Sequence, residues 1–412
     1  MKSERQYPKV IISKKGERWA DTGHPWIYES DVVSVSEEIG ESDNGCIVDV
    51  LTESGKYVGS GFISIHSKIR VRIISRNAND KFDEAFWRRR ISYALDYRTC
   101  VMGDDTDAMR LIFGEADGFP GLTVDKFHDI LSAQVLSYGT DRIKHMIYGI
   151  LVEELSARGF QIKGLYERCD VGIREIEGLK QYKGWFEFEN MKIPDSAVTE
   201  ITENGVKYLV DVENGQKTGF FLDQKYNRLS VAKLAKGKRV LDCFTHTGSF
   251  ALNAAMGGAE HVTAVDISES AIKMAHDNAV RNGLDAKMDY IVADVFELLP
   301  ELIGKGEKPY DFIILDPPAF TKSRKTADNA ERGYKEINYR ALKLLPRGGY
   351  FATASCSHFM PYARFEKMLA AAARDAGVEL KQIEMRQQAP DHPILWNVPE
   401  TDYLKLYLFQ VI

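Results

Sequence analysis

Apolar side chains recur along this chain with two periods, and the change of period divides it. Up to about residue 77 they come in short β-rich runs, at 9–13, 45–51, 57–65 and 69–74, separated by Gly, Asn, Asp and Ser. That pattern predicts a small, mostly β module. A polar break follows at Asn77-Ala78-Asn79-Asp80. Beyond it the spacing predicts a helix over 84–100 that buries Phe86, Ile91, Ala94, Leu95 and Tyr97. Asp117-Gly118 and Pro120-Gly121 turn the chain within 111–127, which reads as strand, turn, strand. A strand at 130–137, an amphipathic helix over 141–158 and strands at 164–168 and 185–189 complete a compact α+β domain of β-β-α-β-β type.

From residue 191 the pattern changes again. Runs at 206–213 and 219–222 read as a hairpin, and 226–235 as a helix. Short apolar strands then alternate with helical stretches. Strands are expected at 240–244, 261–266, 289–293, 312–315, 349–354, 379–386 and 403–411. Helices are expected at 249–257, 270–282, 295–302, 329–345 and 361–376, with Ser268 as an N-cap. Such alternation predicts a doubly wound, mostly parallel sheet that binds ligands at the C-terminal ends of its strands. The fold class is therefore α/β, in three domains: 1–77, 78–190 and 191–412.

Candidate chemistry gathers at those strand ends. Val240–Phe250 reads VLDCFTHTGSF: an apolar strand, an acid, a small polar turn containing Gly248, and an alanine-rich helix. Strand, tight turn and helix N-terminus make a cradle for an adenosine-type ligand. The next strand ends on Asp266, placed to hold both hydroxyls of a ribose. The turn lacks a GxGxxG fingerprint, so NAD and S-adenosylmethionine (AdoMet) both remain open at this point. Asp294, Asp316 and Cys356 also fall at or beside strand ends.

Two features go beyond a dinucleotide fold. In IILDPPAF, Asp316 is followed by Pro317 and Pro318, which fix an extended turn and remove two N–H donors. Carbonyls are left to accept from a base, and Phe320 could stack on a flat ring. Cys356 ends the next strand, and adjacent strands lie about 4.8 Å apart, so Asp316 and Cys356 can face one pocket. That pairing suits methylation at C5 of a pyrimidine. A thiolate adding at C6 makes C5 nucleophilic, and an acid at N3 stabilises the charge that develops. A buried, inert thiol is the competing reading of Cys356, and the better one for Cys243.

Composition constrains partners and compartment. The 412 residues carry a net charge of −6, which speaks against wholesale coating by nucleic acid but permits local basic strips. One such strip is Lys68, Arg70 and Arg72, alternating with Ile69, Val71 and Ile73. It reads either as a solvated face or as a track for phosphates. Five scattered cysteines without a CxxC give no reason to expect a metal site or disulfides. There is no apolar leader and no run long enough to span a membrane, so the expected setting is cytoplasmic.

An ordered series of motifs then resembles one family nearly end to end. These are HPWIY, LIFGEADGFPGLTVDKF, KTGFFLDQ, VLDCFTHTGSF, AVDIS, DPPAF, GYKEIN, SCSHFM and QAPDHP. The chain resembles the bacterial 23S rRNA large subunit methyltransferase I family, AdoMet-dependent cytosine-5 enzymes with a PUA domain. The resemblance implies that residues 1–77 form a PUA-like RNA-binding domain and 191–412 a Rossmann-like class I methyltransferase domain. It implies Cys356 as the nucleophile and Asp316 as the motif acid. Gln224, Phe244, Thr247, Gly248, Asp266, Ile267, Ser268 and Asp294 would line the AdoMet site, with S-adenosylhomocysteine as the spent cofactor. Pro317, Phe320, Lys68, Arg70, Arg72, Lys322 and Arg324 would meet substrate. The partner would be 23S rRNA or a large-subunit precursor, engaged by a monomer or homodimer with no membrane contact. DPPAF lacks the second cysteine of many RNA cytosine-5 enzymes, and Ala319 stands where the family usually has Lys.

Other readings predict different outcomes. A base-nitrogen methyltransferase would use the Asp-Pro-Pro turn and leave Cys356 idle. A non-catalytic RNA-binding or assembly factor would bind RNA without transferring methyl groups. An NAD oxidoreductase would explain Asp266 but neither DPPAF nor Cys356.

Overall fold

The computed structural model describes residues 7–320 and 327–412. The chain forms two compact units. The first contains residues 1–201 together with Val210–Phe221 and Pro390–Thr401. The second contains Thr202–Leu209, Leu222–Ala389 and Asp402–Ile412.

The first unit holds two sheets. The N-terminal sheet has six strands in the order Trp26–Tyr28, Ile69–Ser75, Tyr57–Ile63, Ile47–Thr52, Lys9–Ile12, Val32–Val35. Val10, Ile12, Ile27, Val48, Val50, Ile63, Val71 and Ile73 form its core. Alternating β-branched residues supply that inner face, as the period of two requires. A helix at Lys14–Asp21 was not expected from the pattern. Its stretch KKGERWAD is only eight residues long and has Trp19 and Ala20 as its only apolar side chains, too few to mark a helix by spacing. Ser13 caps it by accepting from the Gly16 N–H.

The second sheet runs Tyr182–Trp185, Gly164–Cys169, Ile130–Val135, Leu122–Phe127, Ala108–Phe113. Helices Glu84–Met102 and Tyr138–Ala157 accompany it. Phe86, Ile91, Ala94 and Leu95 are buried as the spacing predicts. Tyr97 is not: it is exposed and donates to the Pro390 carbonyl. The buried neighbour is Arg98, whose guanidinium is paired with Asp117 and hydrogen-bonded to backbone carbonyls. A buried charge needs such partners, and a hydrophobicity pattern cannot show them.

The expected hairpin of 206–213 with 219–222 does not form. Val206–Asp211 instead pairs with Val198–Glu203 across Asn204-Gly205, where both residues take positive φ of 54° and 80°. Asn-Gly is the turn that such a two-residue connection favours.

The second unit is the doubly wound domain. Its seven strands are β1 (Arg239–Cys243), β2 (His261–Asp266), β3 (Met288–Val292), β4 (Phe312–Leu315), β5 (Tyr350–Ser355), β6 (Leu380–Arg386) and β7 (Lys405–Val411). Their spatial order is β3-β2-β1-β4-β5-β7-β6. Strands β1 to β5 pair in parallel, and β7 enters antiparallel to β5 and β6. The order reverses at β1, so the crevice past the ends of β1 and β4 is where such a fold binds its ligand. Helices Ser249–Met256, Glu269–Arg281, Val295–Gly304, Ala327–Leu344 and Tyr362–Ala376 make the crossovers. Ser268 caps the second of these through the Ala271 N–H, as expected. Among the described residues no helix is long and apolar enough to cross a membrane.

Candidate active site

The site is built on the C-terminal ends of β1, β2, β4 and β5. After β1 the backbone enters the left-handed region three times, at Phe244 (φ 66°), His246 (φ 50°) and Gly248 (φ 80°). Non-glycine residues adopt this conformation rarely and at a cost, so the turn is held there by its surroundings. Asp242 is part of that hold. Its Oδ2 accepts from the Thr245 hydroxyl at 2.6 Å and from the Ala251 N–H at 2.9 Å. Asp266 supplies another part, accepting from the His246 N–H at 2.9 Å and the Ser268 N–H at 3.0 Å. A Cβ at position 248 would lie 2.9 Å from the Ala275 Cβ, so only glycine fits.

This cradle suits AdoMet. Asp242 Oδ1 and Thr247 Oγ1 are buried yet have no hydrogen-bond partner among the described residues. An acceptor and a hydroxyl could answer the ammonium and carboxylate of the amino-acid end. Asp266, half-buried at the end of β2, could take ribose hydroxyls. Ile267 beside it is 70% exposed, an apolar side chain open to a flat ring. Asp294 caps the helix that follows β3 through the Phe296 N–H at 2.8 Å. Burial raises the Asp242 carboxyl to about 7; Thr245 and Ala251 pull it down, and the charges of Asp316 and Asp266 push it up further. His246 is held below the usual imidazole value by burial.

The second half lies at the ends of β4 and β5, which pair with Leu315 opposite Thr353. Asp316 follows Leu315, and Cys356 follows Ser355. Gln224 donates its amide to Asp316 Oδ1 at 3.0 Å, and Asn227 fixes that amide by donating to Gln224 Oε1 at 2.6 Å. Tyr334, from the GYKEIN stretch, joins the two strand ends. Its hydroxyl accepts from Ser355 Oγ at 3.1 Å. Burial pushes this phenol up to about 12, and the charges of both Cys356 and Asp316 act on it. Phe320 packs on Tyr334 with ring centroids 4.6 Å apart and on Phe296 at 5.8 Å. Gly333 makes room for it, since a Cβ there would stand 3.3 Å from the Phe320 ring. Pro317 is buried and Pro318 exposed. Cys356 is only partly buried, whereas burial drives the fully enclosed Cys243 thiol well above its usual value. All five cysteines are free thiols.

The basic residues behave differently from the common face expected of them. Lys68 is exposed and precedes its strand. Arg70 pairs with Glu29 at 2.5 Å, and Arg72 is buried against Glu177 at 2.8 Å. Lys68, Arg70 and Arg72 therefore do not present one open row of cations, because two of the three face carboxylates of their own unit. Lys335 pairs with Asp375 at 2.7 Å. Lys322 and Arg324 lie outside the described residues. Sequence reasoning missed Asn227, Tyr334 as a link, and Lys405, which is 1% exposed and donates to the Ser357 carbonyl at 2.8 Å. Only the quoted GYKEIN motif held a signal for one of these.

Comparison with known proteins agrees with this architecture. The family model for S-adenosylmethionine-dependent methyltransferases matches residues 183–410, and that for a PUA-like domain matches 10–76. A methyltransferase solved with S-adenosylhomocysteine superposes with a TM-score of 0.81 at 21% identity, over 98% of this chain and 99% of that one. An S-adenosylmethionine-dependent methyltransferase from Streptococcus mutans gives 0.80 at 22%, with the same coverage. These identities establish the shared fold. The ribosomal RNA large subunit methyltransferase I of Klebsiella pneumoniae (strain 342) is 38% identical over 408 residues, 98% of this chain and 99% of its own. That of Aeromonas salmonicida (strain A449) is 41% identical over 401 residues, covering 96% and 97%. AdoMet is thus the cofactor of the doubly wound domain. The chain belongs to the ribosomal RNA large subunit methyltransferase I family.

Proposed function

We propose that this protein methylates C5 of a cytosine in large-subunit ribosomal RNA, with Cys356 as nucleophile and Asp316 as the acid at the base edge. Family membership supports ribosomal RNA as substrate. The observation that carries the cytosine-5 chemistry is the placement of Asp316 and Cys356 at neighbouring strand ends, both acting on Tyr334.

AdoMet, when bound, supplies an electrophilic methyl group on a sulfonium. Asp242, Thr247, Asp266, Ile267 and Gly248 would hold and orient it. The Cys356 thiolate forms a bond to C6 of the base, and the C5–C6 electron pair becomes available at C5. Asp316, in its protonated form, donates its proton to N3 and so neutralises the negative charge that thiolate addition pushes onto the ring. C5 takes the methyl as the sulfonium bond breaks. Water, or a base other than the second cysteine that DPPAF lacks, then takes the C5 proton, which restores the double bond and expels the thiolate. Phe320, backed by the buried Tyr334, walls the base pocket, and Lys68 and the PUA-like domain contact RNA.

Methylation of a base nitrogen would need Asp316 and its Pro-Pro turn but no thiol. Transfer of labelled methyl groups to ribosomal RNA, followed by mass mapping of the product nucleoside, tests the proposal. It requires 5-methylcytidine with the wild-type protein and none with Cys356→Ala. An N-methylated nucleoside, or unchanged activity of Cys356→Ala, would contradict it.

A further inference from the structure

Lys405 begins β7, and its Cα is paired with that of Ser355, the last residue of β5. Directly opposed residues of an antiparallel ladder put their side chains on the same face of the sheet. Cys356 follows Ser355 just past the end of the strand, in the turn, where strand alternation no longer fixes its direction. The lysine is almost completely enclosed, at 1% exposure. Lysine is rarely buried unless something compensates the charge. Its ammonium donates to the Ser357 carbonyl at 2.8 Å. That same carbonyl accepts from the Met360 N–H at 3.1 Å, so the lysine also pins the turn that carries Cys356.

The groups around this ammonium can be named from each neighbouring element. Tyr362, opening the helix Tyr362–Ala376, presents its ring face 5.5 Å from Nζ. Asp402, just before β7, acts on it as a counter-charge, while its Oδ1 accepts from the Tyr362 hydroxyl at 2.8 Å. Cys356 is also near enough for its thiolate form to act on this ammonium. Tyr334, whose hydroxyl accepts from Ser355, is acted on by both Cys356 and Asp316. Burial lowers the Lys405 ammonium to about 8, and Asp402 and Cys356 oppose that fall. It is therefore still cationic at neutral pH.

We infer that Lys405 is a positioning residue whose buried ammonium holds Cys356 in its thiolate form and fixes the turn that aims it. This rests on the reading of Cys356 as nucleophile, which the trapping of an RNA adduct tests separately. A thiol gains reactivity beside a cation, because the thiolate is the attacking species. A lysine placed under the turn does so without occupying the space that the base needs.

The test measures alkylation of Cys356 by iodoacetamide in the full-length protein with S-adenosylhomocysteine bound, between pH 5.5 and 9.5. The Cys356 peptide is followed by mass spectrometry so that the other cysteines do not contribute. Wild type is compared with Lys405→Met, Lys405→Gln and Lys405→Arg. Glutamine keeps a donor near the Ser357 carbonyl but removes the charge, which separates electrostatics from the hydrogen bond. It also provides a second neutral variant should methionine impair folding. The inference requires both neutral variants to move the alkylation midpoint upward by about one pH unit, with Cys356 about tenfold less reactive at pH 7. Arginine should restore most of the reactivity. Profiles of Lys405→Met and Lys405→Gln that superimpose on wild type would overturn the inference, whatever the RNA adduct experiment shows.

Discussion

Gln224 donates its side-chain amide to Asp316 at 3.0 Å, tying the KTGFFLDQ stretch to the DPPAF turn. The amide is held in turn by Asn227, whose Oδ1 accepts from Arg386 Nε at 3.0 Å. Asp316 is thus oriented by a chain of fixed groups. Replacing Gln224 with Leu takes this donor away from the Asp316 carboxyl, a loss of about 1–3 kcal/mol. Methyl transfer should fall by roughly tenfold to a hundredfold. Single-turnover assays measure this, and AdoMet calorimetry should show affinity within about twofold of wild type.

Asp242 makes folding depend on pH. Its carboxyl rises from 3.8 to about 7 on folding, first because it is buried. The folded state therefore binds more protons than the unfolded state between those values. Stability falls as pH rises through that window and stays reduced above it. Asp242→Asn removes the effect. Without AdoMet, the variant should gain stability relative to wild type between pH 5 and 8, by about 3 kcal/mol. Denaturant titrations at the two pH values measure the difference. The same variant should bind AdoMet at least about tenfold more weakly, because it puts a donor where the ligand ammonium needs an acceptor.

Gly248→Ala should destabilise the domain. Position 248 has φ 80°, and a new Cβ would lie 2.9 Å from the Ala275 Cβ. The expected loss is about 1–3 kcal/mol, with weakened AdoMet binding. Thermal unfolding with and without AdoMet tests both parts.

Tyr334→Phe removes the hydroxyl that accepts from Ser355 at the end of β5. It leaves the Ser355 hydroxyl without its 3.1 Å partner. Stability should drop by about 1 kcal/mol. Transfer should slow more than AdoMet binding weakens, because the lost contact lies beside Cys356 and Asp316 rather than at the β1 turn.

The parallel sheet was legible because buried strands and amphipathic helices write their periods directly into the chain. Strands 261–266 and 312–315 match the observed limits of β2 and β4. The Asn204-Gly205 hairpin was present in the residues but was displaced by a pairing that ignored the turn chemistry. The helix at Lys14–Asp21 was too short, with only Trp19 and Ala20 as apolar side chains, to reveal itself. Placing Cys356 beside Asp316 followed from the adjacency of strands. Lys405 could not be found that way, because its importance comes from a register, Ser355 opposite Lys405, that exists only once β7 inserts beside β5. The ion pairs of Arg70 and Arg72 were hidden for the same reason: Glu29 and Glu177 are distant in sequence.

The covalent step is the centre of this account. Substrate ribosomal RNA carrying 5-fluorocytosine should become linked to the wild-type protein in the presence of AdoMet, because fluorine at C5 blocks release of the thiolate. The account predicts a stable protein–RNA adduct mapped to Cys356 and absent from Cys356→Ala. No adduct with an RNA that the protein otherwise methylates, or an adduct that survives Cys356→Ala, would contradict it.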